Sequence, residues 1–225
     1  MDDRVWIALD TAAPIIGVAA WRAGEVVRQT ARVQRGAEGT LVPWVHRLIE
    51  ELGADVSDVA GVACTRGPGA FTGLRVGLST AVGLAMGLRV PLWTCDTLFS
   101  RAMRVVDADR VLAVLDARKG RVYAATYLSG ERVGPITDSV PEDIAEAVKP
   151  ETCVTGEGAL VYRALWEAAG ARVHEDAEDA AVDTLVHLAR EALERGEGMD
   201  PADVHPLYIR RPDARTTAER SAGHE

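Results

Sequence analysis

Cysteine is scarce in this chain and poorly placed for pairing. Cys64, Cys95 and Cys153 are an odd number, lie far apart and each end an apolar strand-like run. That argues against a disulfide framework and, with no C-x-x-C, against a thiolate zinc site. The three read as small buried hydrophobes suited to a reducing cytosol. Clustered basic charge is also lacking: the net charge is −9. Phosphate contacts need grouped Lys and Arg, so RNA, if involved, is held mostly by a partner. Asp2 and Asp3 ahead of a short apolar run are the wrong pattern for a signal peptide. The longest apolar stretch, Val76 to Leu88, is broken by glycines, Ser79 and Thr80 and is too short to span a membrane. Catalytic signatures are missing too: G-x-x-x-x-G-K-[ST], G-x-G-x-x-G and G-x-S-x-G do not occur. His46, His174, His187, His205 and His224 form no H-x-x-x-H or H-E-x-x-H pair, so a built-in metal centre is not expected.

What is present is an ordinary globular composition, 48% hydrophobic and 26% charged over 225 residues. That length suits one large domain or two lobes of about 100 residues each. The organising stretch is Arg66-Gly67-Pro68-Gly69-Ala70-Phe71-Thr72-Gly73-Leu74-Arg75, between an apolar run, Val59 to Cys64, and a long apolar segment, Leu74 to Leu88. Strand, glycine loop and helix follow in order, with Thr72 placed to cap the helix. Two readings stand. The free N–H groups of the helix start suit an anion, or the glycines serve close packing alone.

Taken in order, Val5–Leu9 reads as a buried strand ending in Asp10-Thr11, Ile15–Trp21 as a second strand and Glu25–Val33 as a third. A helix is predicted over Leu41–Leu52 with Thr40 as its cap. Its apolar positions span a stripe of about 160°, wider than one core contact needs. Val90–Cys95 reads as a strand and Thr97–Val106 as a helix. Val111–Asp116, a turn at Ala117–Gly120 and the strand Arg121–Leu128 then repeat the opening unit. A helix near Pro141–Val148, a strand Thr152–Thr155, a turn at Gly156–Gly158 and helices Ala159–Ala169 and Val182–Arg195 follow. Two similar α/β halves summarise the pattern. Asp10 and Asp116 stand at strand ends beside turns, where a carboxylate either serves a cleft as metal ligand or base, or only organises its turn.

Leu9-Asp10-Thr11, the run Gly67-Pro68-Gly69-Ala70-Phe71-Thr72-Gly73-Leu74-Arg75-Val76-Gly77, Leu115-Asp116-Ala117-Arg118 and Pro206-Leu207-Tyr208-Ile209-Arg210, in this order, closely resemble the TsaB (YeaZ) family. The resemblance covers roughly residues 4 to 211. It implies a two-lobed actin-like ATPase fold of duplicated halves: a lobe over 1–103 with partner-binding helices, a lobe over 104–211 whose last extended segment packs back on the first, and a solvated tail over 212–225. It implies a cytoplasmic, non-catalytic scaffold and dimerisation subunit, required with TsaD and TsaE for threonylcarbamoyl transfer to N6 of adenosine 37 in tRNAs reading codons that begin with A. tRNA is then met through the complex, and the isolated chain is either a homodimer or a monomer. In the paralogue TsaD an H-x-x-x-H pair binds metal, and those positions fall here on Thr97 and Arg101, neither of which replaces imidazole. A His-Ser-like pair of many family members falls near Ala37.

The resemblance assigns the wide apolar faces to a partner. Leu41, Trp44, Val45 and Leu48, with Leu74 and Leu78, are expected to bury against TsaD or a second copy. Asp10, Thr11, Gly67, Gly69, Thr72, Gly73, Arg75 and Asp116 would form a vestigial nucleotide or anion site, with Arg75 holding an anion or bonding a neighbouring subunit. No cofactor or metal is expected beyond weak nucleotide binding in the complex. Two alternatives are an ATP-dependent phosphotransferase or ATPase with Asp10 positioning Mg²⁺, and a glycoprotease-like metalloenzyme, which the missing histidines disfavour.

Overall fold

The computed structural model describes residues 3–33 and 39–210. Ala37 and the tail from Arg211 onward lie outside them. The expected meander is present as β1 (Val5–Asp10), β2 (Ile15–Arg22) and β3 (Glu25–Arg32). With α1 (Leu41–Glu51), β4 (Val59–Thr65), α2 (Phe71–Leu88) and β5 (Leu92–Cys95) it completes a sheet of order β3-β2-β1-β4-β5. After α3 (Thr97–Met103) come β6 (Arg110–Arg118), β7 (Arg121–Leu128), β8 (Glu131–Ser139), α4 (Pro141–Ala145), β9 (Cys153–Thr155), α5 (Glu157–Val161), α6 (Arg163–Ala168) and β10 (Arg172–Val173). Their sheet has the order β10-β9-β6-β7-β8, the first order repeated when read from the other edge. In both sheets the first two pairings in sequence are antiparallel and the rest parallel. This duplication is the two-lobed actin-like ATPase fold.

Side-chain alternation explains why β1 is buried along its whole length. Val5, Ile7 and Leu9 face a core with Leu41, Val45, Leu48 and Ile49 of α1 and Leu78, Ala81 and Ala85 of α2. Trp6 and Ala8 face the other way, against Leu185, Val186, Ala189 and Leu193 of α7 (Val182–Glu194). The second sheet is also covered twice. Val111, Ala113 and Leu115 meet Leu98 and Ala102 of α3, while Leu112 and Val114 meet Ala159 and Trp166. The last helix of each half therefore covers the other half's sheet.

Several local expectations change. The helix after the glycine loop begins at Phe71 with Ala70 as N-cap, so Thr72 lies within its first turn and caps nothing. Thr40 is the N-cap of α1, its carbonyl accepting the Trp44 N–H at 3.2 Å. The helix expected over Ala159–Ala169 is two short ones, interrupted at Tyr162 with φ −114° and ψ 29°. β8 and β10 were not anticipated. β8 is an exposed edge strand whose Gly134-Pro135 pair breaks the usual strand pattern.

Candidate functional site

Between the lobes lies a cleft of about 1020 Å³. Its walls are the turn after β1, the start of α2, the turn after β6, the α5 region and the chain at Leu207–Arg210. Thr11, Gly69, Thr72, Gly73 and Asp116 of the expected site line it. Asp10 lies beneath it, fully buried. One Asp10 oxygen accepts from the Ala12 N–H at 2.9 Å and from Thr65 Oγ1 at 3.0 Å, and the other from Arg101 Nη1 at 2.6 Å. Arg101 is itself fully buried, and the same Nη1 donates to the Ala180 carbonyl. A divalent ion at Asp10 would have to displace an internal guanidinium. Asp116 accepts from the Arg118 N–H at 2.8 Å and from Arg118 Nη1 at 3.1 Å. In both halves the strand-end aspartate thus bonds the backbone two residues on, the turn-organising role.

The glycine loop is shaped by close approach. A Cβ on Gly69 would stand 2.4 Å from the Ala12 carbonyl oxygen. On Gly73 it would be 2.1 Å from the Thr11 carbonyl oxygen, and on Gly77 2.1 Å from Thr11 Oγ1. Thr11 Oγ1 also donates to the Gly73 carbonyl at 2.7 Å, so the turn after β1 lies directly on the first two turns of α2. Only Gly67 uses positive φ, +116°, and its peptide with Pro68 is cis. Its face is covered by the Leu207 carbonyl. Packing is the role these glycines visibly perform. Arg75 stands beside the cleft wall: its Nε bonds Tyr208 Oη at 3.0 Å, and its guanidinium sits 3.8 Å from the Phe71 ring centroid.

Sequence reasoning missed two groups. From the sequence, Arg101 reads only as a position that lacks the paralogue's imidazole. The available signal was one guanidinium among Leu98, Phe99, Ala102 and Met103, which calls for a buried partner. Glu157, at the cleft wall, has an Oε2 sealed from solvent and without a hydrogen-bond partner among the described residues. Burial raises its pKa to about 7. The Arg101 charge opposes that shift, and those of Asp10 and Asp116 add to it. Among the described residues no group of three or more His, Cys, Asp or Glu side chains gathers as a metal would require.

The expected partner surface needs correction. Leu41, Val45, Leu48, Leu74 and Leu78 are buried in the chain's own core. Trp44 is half-buried against the first core. The apolar width of α1 arises because it covers its own sheet. A stripe of α2 remains open: at about 100° per residue, Thr72, Ser79, Gly83, Met86 and Gly87 share a face, with the half-buried Val76 among them. Met86 is 63% exposed, and a Cβ on Gly83 or Gly87 would meet nothing within 4 Å.

Comparison with known proteins places this geometry. A family model described as TsaD, tRNA N6-adenosine threonylcarbamoyltransferase, matches residues 31–215. The tRNA threonylcarbamoyladenosine biosynthesis protein TsaB of Escherichia coli (strain K12) is 31% identical over 217 residues, covering 91% of this chain and 94% of that protein. The TsaB of Bacillus subtilis (strain 168) is 28% identical over 123 residues, 54% of each chain. The solved structure of YeaZ from Pseudomonas aeruginosa superposes with a TM-score of 0.78 at 30% identity, covering 92% of this chain and all of that one. A ROK family protein from Streptococcus pneumoniae shares the fold alone, with a TM-score of 0.52 at 8% identity. Duplicated lobes, the glycine run seated on the turn after β1, and a match at 31% identity over 91% of this chain agree: the chain belongs to the TsaB (YeaZ) family.

Proposed function

We propose that this chain is a non-catalytic scaffold subunit in the biosynthesis of tRNA threonylcarbamoyladenosine, acting in the cytoplasm. It pairs with a TsaD-type transferase, a TsaE-type ATPase docks on the pair, and tRNA is met through the complex. The observation that carries this reading is the state of Asp10: the carboxylate a nucleotide-bound metal would need is already neutralised by Arg101 at 2.6 Å. A fixed internal cation supports a structural role for the cleft floor over an ATPase or metalloprotease role. The open stripe of α2 supports the pairing. Gly83 and Gly87 let another backbone approach closely, and Met86 offers an adaptable apolar contact. In isolation the same stripe would meet a second copy.

Reconstituted tRNA modification with TsaD, TsaE and threonylcarbamoyl-adenylate tests the assignment. Product formation should require this chain, and equal modification without it would overturn the reading. Gly83→Arg places a long charged side chain where no neighbour stands, so the fold should survive while capture of TsaD falls. A narrower reading is that a nucleotide enters the cleft within the complex, favoured by its volume of about 1020 Å³ beside the start of α2. Calorimetric titration of ATP into the assembled complex and into the isolated chain separates the two. We expect heat only from the complex and no ATP turnover by the chain alone.

A further inference from the structure

Residues 204–210 run from one lobe to the other along the cleft. Val204 is buried in the core of the first sheet. The Leu207 N–H donates to the Arg66 carbonyl at 2.6 Å, and the Leu207 carbonyl covers Gly67. Tyr208 lies on Phe71 with ring centroids 5.1 Å apart, and its hydroxyl accepts from Arg75. Two residues later the chain belongs to the second lobe. Ile209 packs on the core of the second sheet, and Arg210 grips Asp138 of β8 through Nε and Nη2, both at 3.0 Å. Arg210 Nη1 reaches the Ala117 carbonyl at the end of β6 at 3.4 Å.

We infer that this segment is a brace that fixes the angle between the lobes, so the chain holds itself in one inter-lobe arrangement without a ligand in the cleft. The argument is mechanical. Arg101, on a helix packed against the second sheet, is tied to Asp10 of the first beneath the cleft. A tie at the floor alone leaves a hinge that can still open at the top. A second tie along the cleft walls removes that freedom. The Arg210–Asp138 contact is bidentate, the geometry in which an Arg–carboxylate pair holds direction as well as distance. Phe71 and Arg75 of the glycine run, both exposed, are accounted for as the seat of Tyr208.

The test is a distance measurement on the full chain. Spin labels on Glu51→Cys in α1 and Glu131→Cys in β8 report the separation of the lobes, the three native thiols being buried. The parent should give one narrow distribution, unchanged by ATP and Mg²⁺. Arg210→Ala and Tyr208→Ala should each broaden it toward longer distances. Arg121→Ala is the control, since Arg121 also bonds Asp138, at 2.7 Å, but from within the second sheet. It should leave the distribution narrow. Unchanged distances in folded Arg210→Ala and Tyr208→Ala would overturn the brace, as would equal broadening in Arg121→Ala. Should Arg210→Ala fail to fold, Tyr208→Ala alone decides the matter by the same criterion.

Discussion

Glu157 holds its proton more tightly in the folded chain than in the unfolded one, because the cleft wall strips water from its carboxyl. For an acid whose folded pKa is raised, the stabilising contribution is fully present below the unfolded value and is lost as pH rises to about 7. Glu157→Gln should therefore melt higher than the parent at pH 8, by an amount on the order of a few kcal/mol, and nearly equal to it at pH 4. Thermal melts across that range check the sign. Substitution at Asp10 has the opposite effect on stability, because it strands a buried guanidinium. Asp10→Asn should cost about 3–5 kcal/mol in urea unfolding, and adding Arg101→Met should restore much of it. The glycine run offers a third measurement. Gly77→Ala drives a Cβ to 2.1 Å from Thr11 Oγ1 and should destabilise by about 1–3 kcal/mol.

Helix α2 divides its glycines between two uses. Gly77 faces Thr11 and cannot accept a methyl group, while Gly83 and Gly87 face open space. Gly83→Ala should stabilise the isolated chain by about 0.5–1 kcal/mol, through helix propensity alone. It should also weaken TsaD capture if the open glycines serve close approach; denaturant melts and pull-downs read the two effects separately. This division was only half legible in the sequence. An apolar helix with little polar face signals burial, but the signal is the same whether the cover is its own sheet or another protein. For that reason Leu41, Val45, Leu48, Leu74 and Leu78 were expected at a partner and lie in the core. The central strands were readable because both their faces are buried and their apolar runs are continuous. β8 was not, since one solvent-facing edge strand with Gly134-Pro135 resembles a loop. Nor was the Asp10–Arg101 pair, whose members stand 91 positions apart.

At the scale of the whole molecule, the exchange of α3 and α7 between the sheets means that neither lobe has a complete cover of its own. Unfolding should then be a single transition. Trp166 is buried in the second lobe and Trp6 in the first. Single-tryptophan variants retaining one or the other should give the same urea midpoint, and two separated midpoints would show that the lobes unfold independently. The same exchange bears on how the chain is made. When β5 has left the ribosome, the face of the first sheet carrying Trp6, Ala8, Trp21 and Ala63 has nothing to lie against, because α7 begins at Val182. At about 5–20 residues per second the nascent sheet waits on the order of ten seconds for its cover. During that interval it presents the kind of exposed apolar surface that chaperones bind, and truncation anywhere before α7 leaves that apolar face without its cover.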